Sequence, residues 1–514
     1  MITEVTLSLS PAEAFDAEKI TSATRKELSL KSANSLFVTV KKRSVDARGK
    51  LPKFILKVEA RINEKEPEKK TFVFEKRDIK NAEPVFIIGA GPAGMFAALR
   101  LIELGKKPVL FERGKNVRDR RRDLAVLNKE HIVNPESNYC FGEGGAGTYS
   151  DGKLYTRSTK RGDVNKILEQ LVAHGASEDI TIDAHPHIGT NKLPQIIVNI
   201  RETIKECGGE IHFQSKLTDI TVTNGEVAGV VINGNEKYKG KKIILATGHS
   251  ARDIFYLLFE KKIQVEYKPF AMGVRAEHPQ SLIDSIQYKC ATRDVLLPAA
   301  SYSLVEQVEG LGVYSFCMCP GGIIAPCATS PGEIVTNGWS PSKRNNPYAN
   351  SGIVVTVDEK DLEKYSSFGP LAGLKFQEEV EKSCWEAGGK TQTAPAQRLA
   401  DFSNNKFSST LPSCSYQPGI KSVNLKDVLP VSIASRLQKG FIAFGKKMKG
   451  YYTNDAVLVA PESRTSSPVR IPRDKETLQH PQVKGLFPCG EGAGYAGGII
   501  SAAIDGQNVA EKCL

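Results

Sequence analysis

Short apolar runs alternate with amphipathic stretches along much of this chain, and the clearest example starts at residue 85. Val85–Ile88 is apolar, and a glycine-rich turn, a helical pattern and a second apolar run over Pro108–Phe111 follow it. A short apolar run bounded by turn residues is typical of a buried strand. Residues 85–113 are therefore predicted to form a strand–helix–strand unit of a parallel sheet.

Residues 1–80 show a different pattern, which predicts β-α-β-β order. The periodicity indicates strands over 3–9, 35–42 and 52–62 and a helix over 12–29, and a further strand over 71–75 follows this order. This segment holds 18 Lys and Arg against 12 Asp and Glu, so it carries half of the net charge of +12. We expect a small basic α/β domain over residues 1–80.

The middle of the chain leaves the pattern of the first unit, and the C-terminus returns to it. Helices are predicted over 116–130, 163–175, 191–206 and 498–512, and a strand over 485–489. Between residues 251 and 480, alternation predicts strands at 273–277 and 352–357, helical spacing covers 362–387, and a Ser- and Pro-rich composition predicts long loops over 388–430. The predicted division is 1–80, 81–250, 251–480 and 481–514, with 251–480 inserted into a split Rossmann-type domain.

The turn after the first buried strand carries the pattern GxGxxG at Gly89, Gly91 and Gly94. The first glycine permits a tight turn, the second lets the backbone approach a pyrophosphate, and the third lets helix and strand pack closely. Glu112 lies 23 residues after Gly89, where a carboxylate can accept a hydrogen bond from a ribose hydroxyl. The pattern predicts a dinucleotide site; a glycine-rich turn in an ordinary βαβ unit is the alternative.

The C-terminal segment carries a second pattern, in which Gly490-Glu491 and a glycine-rich turn precede the last helix. Together with the N-terminal GAGPAG turn, this pattern resembles the flavoprotein class related to glutathione reductase. The resemblance implies FAD, with Glu491 (where Asp is commoner) at its ribityl or pyrophosphate part. The last helix would direct its N-terminus at the pyrimidine edge of the flavin.

Three longer sequence segments, over residues 141–157, 186–193 and 316–340, resemble a narrower family than the two glycine-rich patterns do. From about Ala82 onward the chain is similar to a bacterial family of uncharacterised FAD-dependent dehydrogenases, also described as NAD(P)/FAD-dependent oxidoreductases. The resemblance implies that the backbone of Leu217 meets the adenine. The residues expected to bind FAD are Gly89, Gly91, Pro92, Ala93, Gly94, Glu112, Arg113, Gly144, Gly145, Gly147, Leu217, Thr247, Gly248, Gly490, Glu491, Gly497, Gly498 and Ile499.

Two further GxGxxG matches, at 142–147 and 492–497, lack a complete βαβ unit with a distal acid. They are interpreted as loops beside the flavin, so the sequence shows no separate NAD(P)H domain. NAD(P)H as a transient electron donor stays open. Arg120 or Arg121 in the predicted helix 116–130 either reaches back to the cofactor or lies on a solvated helix face.

The catalytic residues are not identified by any complete motif, and His187 and Cys319 are the candidates. His187 precedes a predicted helix start and could act as a general acid or base; a capping turn is the alternative. Cys317, Cys319 and Cys327 match a metal site poorly, so no metal is expected. A disulfide between Cys317 and Cys319 would be strained, and packing as small apolar residues is favoured.

Composition narrows the function classes further. No apolar run reaches the roughly 18 residues that span a bilayer, and the N-terminus lacks the features of a signal peptide. Ten scattered cysteines suit a reducing compartment, so a cytoplasmic location is expected. The basic run from Lys41 to Lys53 could bind RNA, an acidic protein or an anionic substrate, but a solvated hairpin edge is favoured.

The predicted fold class is α/β: a split Rossmann-type FAD-binding domain, an inserted α+β substrate domain and a small N-terminal α/β domain. The predicted function is FAD-dependent oxidoreduction of an unidentified small substrate, by hydride transfer through the flavin. An RNA-linked flavoprotein and a flavin-bearing electron-transfer or interaction protein are the alternatives. The sequence indicates neither the substrate nor the oligomeric state.

Overall fold

A computed structural model of the chain describes residues 1–68, 72–156 and 161–514. Its N-terminal part comprises β1 (Ile2–Leu9), α1 (Ala17–Glu27), β2 (Leu36–Asp46) and β3 (Lys53–Ile62). These strands form an antiparallel sheet in the order β1-β3-β2. The predicted strand at 71–75 is not found: residues 72–75 are irregular, and residue 71 lies outside the described ranges.

The next part alternates strands and helices in the predicted way. It comprises β4 (Pro84–Ile88), α2 (Pro92–Glu103), β5 (Lys107–Phe111), α3 (Val117–Glu130), α4 (Val164–Ala173), α5 (Leu193–Glu206), β6 (Glu210–His212), β7 (Leu217–Thr223), β8 (Glu226–Ile232), β9 (Glu236–Lys239) and β10 (Ile243–Leu245). Strands β7, β8 and β9 form a small separate antiparallel sheet.

The remaining elements lead through a larger sheet to the C-terminus. They are α6 (Arg252–Glu260), β11 (Glu266–Tyr267), β12 (Phe270–Pro279), α7 (Gln280–Tyr288), β13 (Val305–Val308), β14 (Leu311–Cys319), β15 (Ile323–Pro326), β16 (Thr336–Trp339), β17 (Tyr348–Val357), α8 (Ala372–Gly388), β18 (Ala394–Arg398), α9 (Leu399–Ser403), β19 (Ile420–Ser422), α10 (Val431–Lys447), β20 (Val457–Glu462), β21 (Val469–Arg470), β22 (Leu486–Pro488) and α11 (Ile499–Lys512).

The Rossmann-type sheet is parallel and has the order β22-β10-β4-β5-β6. Residues 84–245 and the C-terminal segment with β22 therefore share one sheet, as the split domain predicts, and the α/β fold class is confirmed. Helices α2 and α11 pack side by side against it, and their buried apolar residues belong to one core cluster. Ligands of such sheets bind in the crevice outside the carboxyl ends of the strands, where the strand order reverses.

The second large sheet has seven strands in the order β13-β14-β17-β12-β20-β18-β19. One face of it packs against α7 and α10 in the largest core cluster, which also includes apolar residues of the N-terminal sheet. The loops predicted over 388–430 were wrong in part, because this segment contains β18, α9 and β19. Both strands are short, and β18 pairs with β19 on one side and with β20 on the other, so only the tertiary structure shows them.

None of the helices in the described ranges is long and apolar enough to span a membrane.

Candidate functional site

The turn from β4 into α2 has the conformation that its three glycines predict. Gly89 has φ +104°, and a Cβ there would lie 2.5 Å from the carbonyl oxygen of Ala246. A Cβ on Gly94 would overlap the carbonyl oxygen of Gly89, so helix and strand pack here without a side chain. Gly91 caps α2 without a side-chain hydrogen bond, and Pro92 follows it. The amides at this helix start are available to an anionic ligand.

Glu112 lies at the end of β5, buried, and holds three segments of backbone together. Its carboxylate accepts hydrogen bonds from the amides of Ala90, Gly114 and Gly142, each at 2.9 Å. A carboxylate has about four acceptor positions. One position thus remains for a ribose hydroxyl, while the other three fix the turn, the end of β5 and the next glycine loop.

That glycine loop lies directly on the dinucleotide-binding turn. The amide of Gly144 donates to the carbonyl oxygen of Ala90 at 2.8 Å. A Cβ on Gly145 would lie 3.1 Å from the Cα of Gly91. A Cβ on Gly147 would lie 3.2 Å from Pro92 and 3.6 Å from Ile499, at the start of α11. Three segments that are distant in sequence therefore meet at one place.

Arg120 holds this loop in position, a role that the sequence did not reveal. Its guanidinium donates to the carbonyl oxygens of Asn138, Tyr139, Glu143 and Gly145 at 2.8–2.9 Å. The side chain is fully buried. The solvated helix face is thus wrong for Arg120, because the loop folds over this face of α3.

The C-terminal pattern lies beside the end of β10. The amide of Gly490 donates to Asp505 at 2.8 Å, and the amide of Gly498 donates to Glu491. Nδ1 of His249 lies 3.3 Å from the other carboxylate oxygen of Glu491. Burial opposes the ionisation of Glu491, but the interactions with His249 and the hydrogen bond from the Gly498 amide together outweigh it and keep the pKa of Glu491 below its usual value.

Open space lies beside the C-terminal glycine turn, and the space around its glycines shows whether FAD fits there. A Cβ on Gly248, Gly497 or Gly498 would meet no heavy atom within 4 Å, whereas one on Gly492 would strike the backbone of Gly248. The unfilled side therefore lies between the end of β10 and the N-terminus of α11, where the helix dipole favours negative charge. The residues present fit FAD, and the positions of its pyrophosphate at Gly91 and of its flavin near Gly498 stay predictions.

The remaining predicted cofactor residues lie around the same crevice. Arg113 is paired with Glu136 at 2.7 Å and Asp253 at 2.9 Å, so its guanidinium is held by protein carboxylates. Leu217 begins β7 and is buried, and Thr247 lies beside Gly89. Their contacts with FAD, like those of the whole predicted set, stay predictions.

A second group of polar residues lies where the glycine loop meets the seven-stranded sheet. The ammonium of Lys153 is 3.8 Å from Sγ of Cys317 and 3.8 Å from Sγ of Cys319, and it donates to the carbonyl oxygen of Met318. The backbone of Lys153 pairs with that of His187. The two catalytic candidates of the sequence, His187 and Cys319, are therefore neighbours of one lysine that the sequence did not indicate.

His187 is an uncharged group at neutral pH in this setting. Burial and the neighbouring Arg344 lower the pKa of His187 to about 4. Its Nε2 lies 3.0 Å from the carbonyl oxygen of Ser342. Asp151 is buried beside it and pairs with Arg344 at 2.9 Å. As a neutral imidazole, His187 can position a ligand or accept a proton, but it cannot donate a proton from an imidazolium.

The face of the seven-stranded sheet turned toward Lys153 carries buried ionic groups. Arg275 is fully buried, lies 3.3 Å from Glu462 and donates to the carbonyl oxygen of Cys317 at 3.0 Å. Burial raises the pKa of Glu462 to about 7, against the attraction of Arg275. Neighbouring positions in β12, such as Val274, face the opposite core. Alternation along β12 therefore directs the arginine toward the polar group.

Comparison with protein families divides the chain into three matched segments. Residues 83–260 match the pyridine nucleotide-disulphide oxidoreductase family, and residues 269–465 match the FAD-dependent protein, C-terminal domain-like family. Residues 1–61 match a domain of unknown function.

Curated relatives include an uncharacterised protein of Clostridium beijerinckii. It is 44% identical over 437 residues, which cover 84% of this chain and 81% of the relative. A thiamine thiazole synthase of Aeropyrum pernix is 27% identical over 150 residues, covering 29% of this chain and 43% of that protein.

Similar solved structures include glycine oxidase from Bacillus cereus, with 14% identity, a TM-score of 0.29 and coverage of 84% of this chain and 94% of that one. Another is CtdE in complex with FAD, with 12% identity, a TM-score of 0.33 and coverage of 84% of each chain. Likeness of this degree does not bear on the substrate. The family matches and the relative that aligns along most of its length do establish membership: the chain belongs to the family of FAD-dependent oxidoreductases and uses FAD as its cofactor.

Proposed function

We propose that this enzyme is a dehydrogenase that oxidises or reduces a small molecule held between the glycine loop and the seven-stranded sheet. The observation that carries the proposal is the course of the loop that begins at Gly144. It lies on the dinucleotide-binding turn, approaches Ile499 at Gly147, and reaches the polar group around Lys153 six residues later. One loop thus connects the expected flavin position with a set of buried charged side chains.

Bound FAD supplies the hydride chemistry. The protein residues supply the binding and the electrostatics: the amides at the start of α2 face the pyrophosphate, and the N-terminus of α11 stabilises negative charge at the flavin. Lys153 and Arg344 place positive charge beside the substrate space, while neutral His187 offers a proton acceptor. We also propose that the chain divides after residues 80, 250 and 480 into a small N-terminal domain, two parts of the FAD-binding domain and the substrate domain inserted between them.

The electron donor is part of the proposal as well. We include NAD(P)H as a transient donor that binds without a dedicated domain. Anaerobic addition of NADH or NADPH to the purified yellow protein tests this point, because a flavin that these donors reduce loses its visible absorbance. A flavin that stays oxidised would instead indicate a donor that is the substrate itself.

Gly91→Asp tests the cofactor site. The new carboxylate would stand where the pyrophosphate is expected, and charge repulsion should leave a folded but colourless protein. Gly49→Asp adds the same charge in an exposed loop and should keep the flavin. Normal flavin content in Gly91→Asp, measured by absorbance after gel filtration, would rule out the proposed pyrophosphate position.

We also propose a cytoplasmic location, and we favour it on the state of the cysteines. All ten cysteines are free thiols, which supports a reducing, cytoplasmic location. The RNA-linked alternative gains no support from the basic segment, since its Arg43 is paired with Asp179 and Asp183 and its Lys41 with Glu59.

A further inference from the structure

His249 comes shortly after β10, and both nitrogens of its ring face acceptors. Its Nε2 lies 3.1 Å from the carbonyl oxygen of Arg464, and its Nδ1 lies 3.3 Å from Oε2 of Glu491. A carbonyl oxygen only accepts hydrogen bonds, so Nε2 carries a hydrogen. A lone pair on Nδ1 would face the lone pairs of the carboxylate, so a second proton lies between His249 and Glu491. On whichever of the two this proton resides, the pair as a whole has no net charge.

The carbonyl group that faces Nε2 belongs to a residue with a fixed position. The guanidinium of Arg464 is buried and donates to Glu381 at 2.8 and 3.0 Å, to Glu333 at 2.7 Å and to Thr329 at 2.7 Å. Hydrogen bonds between charged groups of this kind are short and roughly twice as strong as neutral ones. The segment that follows β20 therefore holds His249 in one orientation.

Glu491 connects His249 with the start of α11. Its Oε1 accepts a hydrogen bond from the amide of Gly498, the residue that precedes this helix. The side chain of Glu491 is 29% exposed, so it borders open space, as Gly498 does. The contacts that begin at Arg464 therefore end at the helix terminus that is expected to face the flavin.

A second acid near this helix terminus is also paired. Asp505 accepts a hydrogen bond from the amide of Gly490 at 2.8 Å and forms an ion pair with Arg473 at 2.6 Å. Both Asp505 and Glu491 thus hold a backbone amide of the glycine-rich segment, and both face a side chain that compensates their charge. An unpaired carboxylate here would repel negative charge on the flavin and oppose the effect of the α11 dipole.

We infer that His249 is a positioning residue, which holds Glu491 against the start of α11 and cancels its charge beside the flavin. The inference rests on the proposed flavin position. Two-electron reduction places negative charge at the pyrimidine edge of the flavin, and an electrostatic environment that is already arranged for this charge stabilises it. A neutral His249–Glu491 pair therefore makes the bound flavin easier to reduce than an unpaired carboxylate would.

The midpoint potential of the bound flavin tests the inference. His249→Gln keeps a donor for the carbonyl oxygen of Arg464 but has no group at the position of Nδ1, so Glu491 retains its charge without a partner. At about pH 8, the ratio of reduced to oxidised flavin at a fixed potential should fall about tenfold, which corresponds to a potential about 30 mV lower for a two-electron couple. His249→Asn also lacks a compensating charge and should lower the ratio as well, so it replaces His249→Gln if that variant binds no FAD.

Two further variants separate charge from packing. Combining His249→Gln with Glu491→Gln removes the unpaired charge, so the ratio should return to within about twofold of the wild type. His212→Gln is the matched control, because His212 also faces a carboxylate, that of Glu210 at 3.0 Å. It lies in β6, at the opposite edge of the sheet from β22, and its replacement should leave the flavin potential unchanged.

Hydrogen exchange of the apoprotein gives a readout without the cofactor. In His249→Gln, Glu491 loses one of the two contacts that hold it, and local opening at the start of α11 should become easier. Mass spectrometry of peptides that contain Gly498 should therefore show about fivefold faster exchange at this amide than in the wild type. His212→Gln should exchange there at the wild-type rate.

The outcomes separate this inference from the proposed function. A wild-type potential in His249→Gln, or a double variant that stays as low as His249→Gln, would overturn the cancellation of charge and leave the flavin site intact. Unchanged exchange at Gly498 would overturn the positioning role. Wild-type protein that binds no FAD would overturn the proposed flavin position instead, and the exchange at Gly498 would still decide whether His249 positions Glu491.

Discussion

Replacement of Arg120 by methionine removes the cation that holds the glycine loop on the dinucleotide-binding turn. The guanidinium donates to four backbone carbonyl oxygens and is fully buried. Methionine has a similar length and a good helix propensity, but it has no donor. The substitution therefore tests the hydrogen bonds, with little change to α3 itself.

The size of the effect follows from those four bonds. A hydrogen bond to a charged group contributes about 1.5–3 kcal/mol, so four would sum to several times that value. Burial of the charge offsets part of the sum, and it also lowers the pKa of Arg120. Loss of the guanidinium leaves four carbonyl oxygens without this donor, at about 1–3 kcal/mol for each that stays unsatisfied, and relief of the buried charge reduces the net cost to about 3–5 kcal/mol. We expect Arg120→Met to lower the free energy of unfolding by this amount.

The loss should also weaken FAD binding, because the freed loop includes Gly145, which approaches Gly91. A penalty of only 1.4 kcal/mol passed on to the bound state corresponds to about a tenfold higher Kd. Urea unfolding of the apoprotein gives the first quantity, and fluorescence titration with FAD gives the second. Arg122→Met is the matched control: Arg122 is on the same helix, its side chain is 74% exposed, and its pairing with Asp119 is at 3.6 Å. Its effect should stay below about 0.5 kcal/mol.

Arg120→Met with wild-type stability and wild-type FAD affinity would refute the reasoning, since it would mean that the loop holds its position without the cation. Lower stability with unchanged FAD affinity would show instead that the loop does not support the cofactor.

Three other predictions follow from the same structure. Gly94→Ala should prevent normal folding of the domain, because its Cβ would overlap the carbonyl oxygen of Gly89. Gly497→Ala is the control and should leave the thermal midpoint of the apoprotein unchanged. A stable Gly94→Ala protein in a thermal melt would contradict this prediction. Although burial opposes ionisation, two arginines keep the pKa of Glu381 at about 2, so this carboxylate stabilises the fold above about pH 4.5 and loses its contribution as the pH falls toward 2. Glu381→Gln should therefore lower the unfolding free energy at pH 6 by on the order of 3 kcal/mol, with a gap to the wild type that narrows below pH 4.5 in urea titrations; a constant gap would count against it. The imidazole of His187, with its pKa lowered to about 4, should show no titration by NMR between pH 8 and 5.5, and a midpoint near 6.5 would disprove the assigned burial.

The sequence by itself determined the nucleotide-binding architecture. A strand, a glycine turn, a helix and a second strand lie within 29 residues, and Gly89 and Gly94 meet local steric demands that a residue with a Cβ does not satisfy. The pairing of distant β22 and β4 in one sheet with β10 between them was predictable too, because each is an apolar run next to its own motif. Short strands such as β18 and β19 were not, since their few residues gain stability only from neighbours across the sheet.

The tertiary structure alone decided which side chains act together. Periodicity shows which face of an element is apolar, but it does not show what that face meets. The charge run at Arg120 therefore left cofactor contact and a solvated helix face as alternatives, whereas the loop that buries this side chain comes later in the chain. Lys153 and Cys317 are 164 residues apart, and Arg275 and Glu462 reach them from two further strands. Their chemistry exists only where packing excludes water and brings the charges together, which no local pattern in the sequence records.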